Sequence, residues 1–347
     1  MNDEREEKFR RRLILTAKGS HGARDMNREE AKEAMGFLFS DKADDIQLAA
    51  FVTAMRFKGA KVDELLGFID GIKENSLPIK PEIKGLVDCN GPYDGRKKSL
   101  SLSLAAAVVA VAAGVPIIMH SGNRLPPKYG VTIADVLEAL KIPVTLEPKA
   151  VEQMLKKTGF GFLHCNIFAS KMEKFRHVRE RLAYRSFLNT CEVLNNPANA
   201  KRIIFGAAHI PFLKRLTSVA QIRGADHVLA VRGIEGSDEI PLKKTTVVEY
   251  ANGETKMIEL TPEQFGLKEQ NVAASESAEK TASIIYDILN NRSETYKQAV
   301  LFNAGIRIYL GHITDSISKG IQLSREILES NQASRKLKEL IGFSGVE

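Results

Sequence analysis

The sequence predicts an α/β protein, a mainly parallel sheet flanked by helices with a smaller all-helical domain at its N-terminus, and three observations predict it. Up to Pro78 the apolar residues recur at helical spacing. Beyond it the chain alternates short β-branched strands, glycine-bearing loops and helices. Two polar loops, His120-Ser121-Gly122-Asn123-Arg124 and Gly236-Ser237-Asp238-Glu239, each follow an apolar run, and α/β proteins bind ligands where loops leave their strands. The expected division is residues 1–78 for the helical domain, completed by helices near 168–190, and 79–347 for the α/β domain.

Asn27 opens the first expected helix as an N-cap, with Glu30 completing a capping box and Ala31, Ala34, Met35 and Leu38 on the inner face. A second runs from about Asp45 with Leu48, Ala49, Val52 and Met55 inward and stops at Gly59; a third starts near Val62 and buries Leu65, Leu66, Ile69 and Ile72. Asn75-Ser76-Leu77-Pro78 and Lys80-Pro81 break the pattern. Short strands follow at 85–88 and 116–119, with a nearly all-apolar, hence buried, helix at 104–113 between them and an amphipathic one at 132–140. The alternation persists through strands at 202–206 and 228–231, a hairpin at 247–258 turned by Asn252-Gly253, and helices at 278–290, 298–309 and 313–330.

At 347 residues, 44% hydrophobic and 27% charged, the chain has enough apolar material for two lobes. No apolar run approaches the ~20 residues of a membrane span. The opening Met1-Asn2-Asp3-Glu4-Arg5-Glu6-Glu7 is too charged for a signal peptide, so a cytosolic protein with no membrane partner is expected. Cys89, Cys165 and Cys191 lack metal-ligand spacing and a paired framework, and the seven histidines form no zinc pattern. A net charge of +7, with basic clusters at Arg96-Lys97-Lys98 and from Lys171 to Arg185, favours polyanionic company, phosphorylated small molecules or nucleic acid.

The two polar loops carry the chemistry. His120 to Arg124 supplies donors for anionic oxygen, and the adjacent carboxylates Asp238 and Glu239 suit a hard cation held through water and phosphate. Together they imply a phosphorylated substrate. Separately, each has an ordinary reading: Gly-Asn is a turn, Asp238 caps the next turn, and His120 is a satisfied interior imidazole.

Over nearly its whole length the chain resembles the anthranilate phosphoribosyltransferases of glycosyltransferase family 3. The resemblance lies in Asn27-Arg28-Glu29-Glu30-Ala31, in 49–59, in Ser121-Gly122-Asn123-Arg124, in Asp238-Glu239, in Asn303-Ala304-Gly305 and in Arg185. It implies a nucleoside phosphorylase/phosphoribosyltransferase-like fold, phosphoribosyl pyrophosphate and an aromatic amine such as anthranilate as substrates, Mg2+ as cofactor, and a homodimer formed through the helical lobe. One motif departs. The family's glycine-rich pyrophosphate loop is replaced by Gly91-Pro92-Tyr93-Asp94-Gly95-Arg96-Lys97-Lys98, in which proline removes an N–H and a ring fills space that glycine leaves open. Ser103 keeps the motif's metal-binding serine, whereas Leu104 and Met119 replace polar neighbours. These departures, with Gly22-Ala23-Arg24-Asp25, are similar to a divergent basic branch of bacterial paralogues described as binding nucleic acid without sequence preference.

Two functions follow as expectations. As an enzyme, the resemblance implies that Ser103, Asp238 and Glu239 hold magnesium, Gly91 and Asp94 approach pyrophosphate, Arg124 supports the substrate anions, and His120, Gly122, Asn123 and Arg185 face the substrates, with Arg124 and Glu239 catalytic. As a DNA- or RNA-binding protein, Arg96, Lys97, Lys98, Lys171, Lys174, Arg176 and Arg179 line a basic groove and Tyr93 stacks on a base.

Overall fold

The computed structural model describes residues 4–19, 22–274 and 277–344, so Met1-Asn2-Asp3 of the charged opening lies outside the described residues. Helix α1 (Glu4–Thr16) has no counterpart among the expected elements. It buries only Phe9 and Thr16, too little for an apolar stripe to show in the sequence. Phe9 nevertheless anchors it, stacking on Phe37 at 4.6 Å between centroids. Helix α2 (Arg28–Leu38) starts at the expected capping box: Asn27 Oδ1 accepts from the Glu30 N–H at 2.8 Å and Glu30 accepts from the Asn27 N–H at 3.0 Å. Helices α3 (Asp45–Lys58), ending at Gly59, and α4 (Val62–Glu74) complete the run. Helices α2 and α4 touch backbone to backbone, because a Cβ on Gly67 would sit 2.1 Å from the Arg28 carbonyl oxygen.

The second lobe begins with β1 (Val87–Asn90), α5 (Ser103–Ala112), β2 (Ile117–Ser121), α6 (Ile133–Ala139), α7 (Pro148–Thr158) and β3 (Phe160–His164). Helices α8 (Cys165–Phe168), α9 (Arg176–Leu182) and α10 (Phe187–Leu194) then return to the first lobe, where Phe187 packs on Phe68 at 4.3 Å. The chain continues through β4 (Arg202–Gly206), α11 (Ile210–Ile222), β5 (His227–Val231), β6 (Thr245–Ala251), β7 (Glu254–Leu260), α12 (Ala278–Leu289), α13 (Lys297–Leu310), α14 (Ile317–Glu329) and α15 (Gln332–Ile341). Helix α14 starts four residues later than expected, because Ser316 caps it and His312 just before takes a left-handed φ of 56°.

The strands form one seven-stranded sheet in the order β3-β2-β1-β4-β5-β6-β7. The first five are parallel and almost wholly buried; β6 and β7 are the expected antiparallel hairpin, with Asn252 and Gly253 at φ 52° and 81° in its turn. From β1 the chain winds outward through β2 and β3, then crosses back to β4 on the other side of β1. That reversal opens a crevice at the C-terminal ends of β1 and β4, the position that binds ligands in open sheets. At the opposite end, a row of polar groups ties α13 to the hairpin. Arg202 meets His312 Nδ1 at 2.9 Å, His312 Nε2 meets His227 Nδ1 at 2.9 Å, and His227 Nε2 meets Glu249 at 2.8 Å. Tyr309 donates to the same Glu249 oxygen. No described helix is long and apolar enough to cross a membrane.

Gly67→Ala should lower the free energy of unfolding by about 1–3 kcal/mol, the usual cost of forcing an atom into a closed contact. Gly36→Ala, on the same helix pair with nothing within 4 Å of the new Cβ, should instead raise it by roughly 0.5–1 kcal/mol. Urea melts of both variants check this; equal effects would show that the α2–α4 contact is loose.

Candidate active site

Past Asn90 the chain turns at Gly91 to Asp94, where the Gly95 N–H donates to the Pro92 carbonyl, and Arg96 then pairs with Val131 through two backbone hydrogen bonds. That short bridge aims the Arg96 side chain inward. Its Nε and Nη2 donate to Ser99 Oγ at 3.1 and 2.9 Å, Nη2 to the Leu100 carbonyl at 2.6 Å, and Nη1 to Ser237 Oγ at 3.2 Å and Glu239 Oε1 at 2.6 Å. The same Glu239 oxygen accepts the Leu102 and Ser103 N–H groups at 2.8 and 2.9 Å, so a carboxylate of the chain itself occupies the N-terminus of α5. Asp238 Oδ2 accepts from Ser103 Oγ at 2.7 Å and from Arg307, whose side chain is wholly buried. Burial works against the charge of Arg307, but Asp238, Cys89 and Glu239 around it together outweigh burial and hold its pKa above the ordinary arginine range. The backbone here is equally close: a Cβ on Gly206 or Gly233 would lie 1.7 Å from the Ser237 carbonyl oxygen.

This arrangement bears directly on the expected metal. Magnesium demands an octahedral oxygen shell at about 2.0–2.1 Å. Here Glu239 Oε1 and Asp238 Oδ2 are already surrounded by N–H and O–H donors, and two guanidinium groups neutralise the pair. Asp238 Oδ1 is buried without a hydrogen-bond partner, but it belongs to a pair of carboxylates whose charge is already matched. As arranged, Ser103, Asp238 and Glu239 do not fit a hydrated magnesium ion, and the described residues contain no other cluster of three His, Cys, Asp or Glu suited to one.

Other expected site residues fall in distinct places. Tyr93 is 1% exposed, its hydroxyl hydrogen-bonded to His120 Nδ1, so its ring is not available to stack on a base. His120 is itself interior: its Nε2 stands 3.4 Å from Asp88 and its backbone N–H donates to Asn90 Oδ1, so it faces no acceptor. A position inside β2 explains this, since both faces of a parallel strand are covered. Arg96 and Arg179, expected in a basic groove, are buried as well, Arg179 in a bidentate pair with Glu192. Lys171, Lys174 and Arg176 spend their donors on Asn75, the Ser40 carbonyl and Glu173, while Lys97 and Lys98 are exposed. Gly122 is buried; Asn123 and Arg124 are exposed, with Arg124 hydrogen-bonded to Asp135 at 2.9 Å. Asp94 is held bidentately by Arg185 at 2.8 and 2.7 Å.

Two cavities meet in the crevice. One, of about 320 Å3, lies between the lobes and is lined by Met55, Arg56, Asp94, Ser186, Phe187 and Phe212 among others. The other, of about 770 Å3, is lined by six cations, Lys98, Lys128, Arg185, Arg232, Lys243 and Lys244, with Glu235 as the one carboxylate among its described residues. Arg185, Ala208 and Gly236 line both. Sequence reasoning missed Arg307, Glu235, Lys128, Arg232, Lys243 and Lys244. Only Arg307 left a signal, as a lone charge in the apolar run of α13, four positions after the singled-out Asn303.

Residues 84–334 match the glycosyl transferase family a/b domain and residues 12–76 the helical bundle domain of the same family. An anthranilate phosphoribosyltransferase of Brevibacillus brevis is 32% identical over 323 residues, covering 92% of this chain and 94% of its own. That of Methanocorpusculum labreanum is 33% identical over 325 residues, with 92% and 95% covered. The crystal structure of anthranilate phosphoribosyltransferase from Thermus thermophilus superposes with a TM-score of 0.86 at 28% identity, over 97% of this chain and 98% of that one. The Saccharomyces cerevisiae enzyme in complex with PRPP and Mg, at 19% identity and a TM-score of 0.84 over 97% and 98%, is alike in fold alone.

Arg96→Met should destabilise the protein by about 3–5 kcal/mol, because Glu239 is left buried without its counter-charge, and the double variant Arg96→Met, Glu239→Gln should recover most of that loss. Additive losses in urea melts would contradict the pairing. Since the described residues hold no open metal shell, neither millimolar Mg2+ nor EDTA should move Tm; a saturable rise with Mg2+ would refute this.

Proposed function

Because the chain belongs to the glycosyl transferase family of helical-bundle and a/b domains, we propose that it moves a phosphoribosyl group from phosphoribosyl diphosphate to an aromatic amine of the anthranilate kind. The observation that carries this reading is the pair of joined cavities, one basic and one partly aromatic, sharing Arg185, Ala208 and Gly236. A two-substrate transfer needs such a junction. The donor's phosphates match the six cations, the acceptor's ring matches the side with Phe187 and Phe212, and Arg185, 36% exposed, stands where an acceptor carboxylate would lie.

The transfer displaces diphosphate at the ribose carbon, building positive charge on the sugar and negative charge on the leaving group. Orientation and fixed cations therefore supply the catalysis, Lys128, Lys243 and Lys244 stabilising the departing phosphates and Arg185 aligning the acceptor. A weakly basic aromatic amine is already nucleophilic and needs no base. The yeast relative binds its donor with magnesium. In this chain Asp238 and Glu239 are matched by arginines, so no step is assigned to a metal, and turnover well below that of a metal-assisted transferase follows.

The basic hollow also favours a second reading, sequence-independent binding of DNA or RNA. The exposed apolar side chains Ile46 and Phe57 on α3, next to the small residues Ala49, Ala50 and Ala54, support a homodimer formed through the helical lobe.

In calorimetric titrations phosphoribosyl diphosphate should bind the wild type, and Lys128→Ala or Lys243→Ala should weaken it roughly 10- to 100-fold, as expected for one charge-assisted contact. Slow loss of anthranilate fluorescence should accompany binding. Absence of donor binding, together with single-stranded DNA binding whose log K falls by roughly 0.7 per phosphate per unit of log salt, would favour the second reading. Light scattering should give a dimer for the wild type and a monomer for Phe57→Asp; a wild-type monomer would overturn the dimer.

A further inference from the structure

The loop between β5 and β6 places Glu235 against a small nest of donors. The backbone N–H groups of Lys97 and Lys98 reach its two carboxylate oxygens at 3.3 and 2.8 Å, Ser99 Oγ donates at 2.7 Å, and Lys128 Nζ stands at 3.3 Å. The Ser99 hydroxyl has no freedom to turn elsewhere. Its oxygen already accepts two N–H groups from Arg96, so its proton must point at whatever fills the nest. Consecutive backbone N–H groups with a fixed hydroxyl and a nearby ammonium are the donor set that a phosphate takes.

Glu235 is held less deeply than its neighbour Glu239. Its side chain is 12% exposed and faces the 770 Å3 hollow, where among the described residues it is the one carboxylate beside six cations. Its backbone holds a left-handed φ of 54° within the single 3-10 turn Ile234–Gly236, between Gly233 and Gly236, the latter at φ 81°. A non-glycine residue in that region is strained, so release of the turn returns strain energy. The neighbouring Glu239 is the contrast: 1% exposed and gripped by Arg96, it has no route out. Burial raises the Glu235 carboxyl, yet the Ser99 hydroxyl, Lys128 and the two N–H groups outweigh it, so the group sits below the ordinary carboxylate range and is ionised at neutral pH.

We propose that Glu235 is a built-in competitor, an internal carboxylate that occupies a phosphate site formed by the Lys97 and Lys98 N–H groups and the Ser99 hydroxyl and swings out when a phosphate or diphosphate group binds. The proposal rests on the reading that the basic hollow takes a phosphorylated donor. It makes ligand affinity a difference between two anions for one nest, so removing the internal one must tighten the external one.

Inorganic pyrophosphate titrated calorimetrically into the dimer or monomer as purified tests it. Glu235→Ala should bind pyrophosphate at least about tenfold more tightly than the wild type, Glu235→Gln should fall between, and adding Ser99→Ala to Glu235→Ala should remove the gain. Thermal melts establish that each variant is folded. Lys243, which lines the hollow away from the nest contacts, separates the two failures. If pyrophosphate binds the wild type and Lys243→Ala weakens it, but Glu235→Ala brings no gain, the competitor is overturned and the donor site stands. If pyrophosphate binds neither the wild type nor Glu235→Ala, both fall.

Discussion

The guanidinium of Arg96 is the group on which the shape of the crevice depends. The sheet does not join the loop after β1 to the loop after β5, because β4 lies between them. Arg96 does, spanning Ser99 and Leu100 on one side and Ser237 and Glu239 on the other. Arg307 and Asp238 repeat the pairing beneath it, so four charges are buried with no net charge. Against well-packed apolar residues such pairs contribute little net stability. What they contribute is position: they fix which face of each loop points into the crevice and which is closed.

Much of the fold was legible in the sequence because its signals are local. The Asn27 capping box, the Asn252-Gly253 turn and the all-apolar α5 each declare themselves within a few residues. Of the two polar loops read as a site, the second is met by the loop after β1, where Gly91 lies beside Asp238, whereas His120 of the first turns inward to Tyr93 and Arg124 pairs with Asp135. What was hidden was direction. In Arg96-Lys97-Lys98 the first cation is buried and the next two are exposed, a split made by the bridge to Val131 and by a partner 143 positions away. Tyr93 was hidden for the same reason, since its partner His120 lies on β2, 27 positions on. Helix α1 escaped notice because only two of its residues are buried.

The resting molecule answers its own charges. Glu239 takes the N-terminus of α5, Glu235 takes the nest at Lys97 to Ser99, and Asp94 takes Arg185, each filling a cationic or N–H-rich place with an internal carboxylate. Discrimination then comes from exchange rather than from simple filling, because any incoming anion must do better than the one it displaces. The grip differs from one carboxylate to the next, with burial strongest at Glu239 and Asp94 and weaker at Glu235.

At the far end of the sheet, the row from Arg202 to Glu249 has a direction. Arginine only donates, so His312 Nδ1 must be the acceptor and its Nε2 must carry the proton that it gives to His227 Nδ1; His227 then gives its own Nε2 proton to Glu249. Every joint is satisfied in one tautomeric order and in no other. Reversing either ring would set donor against donor or acceptor against acceptor, so the row works as a one-way lock that admits the hairpin at a single setting against α13. The last two strands thus receive their alignment from a proton order as well as from the ladder of backbone bonds.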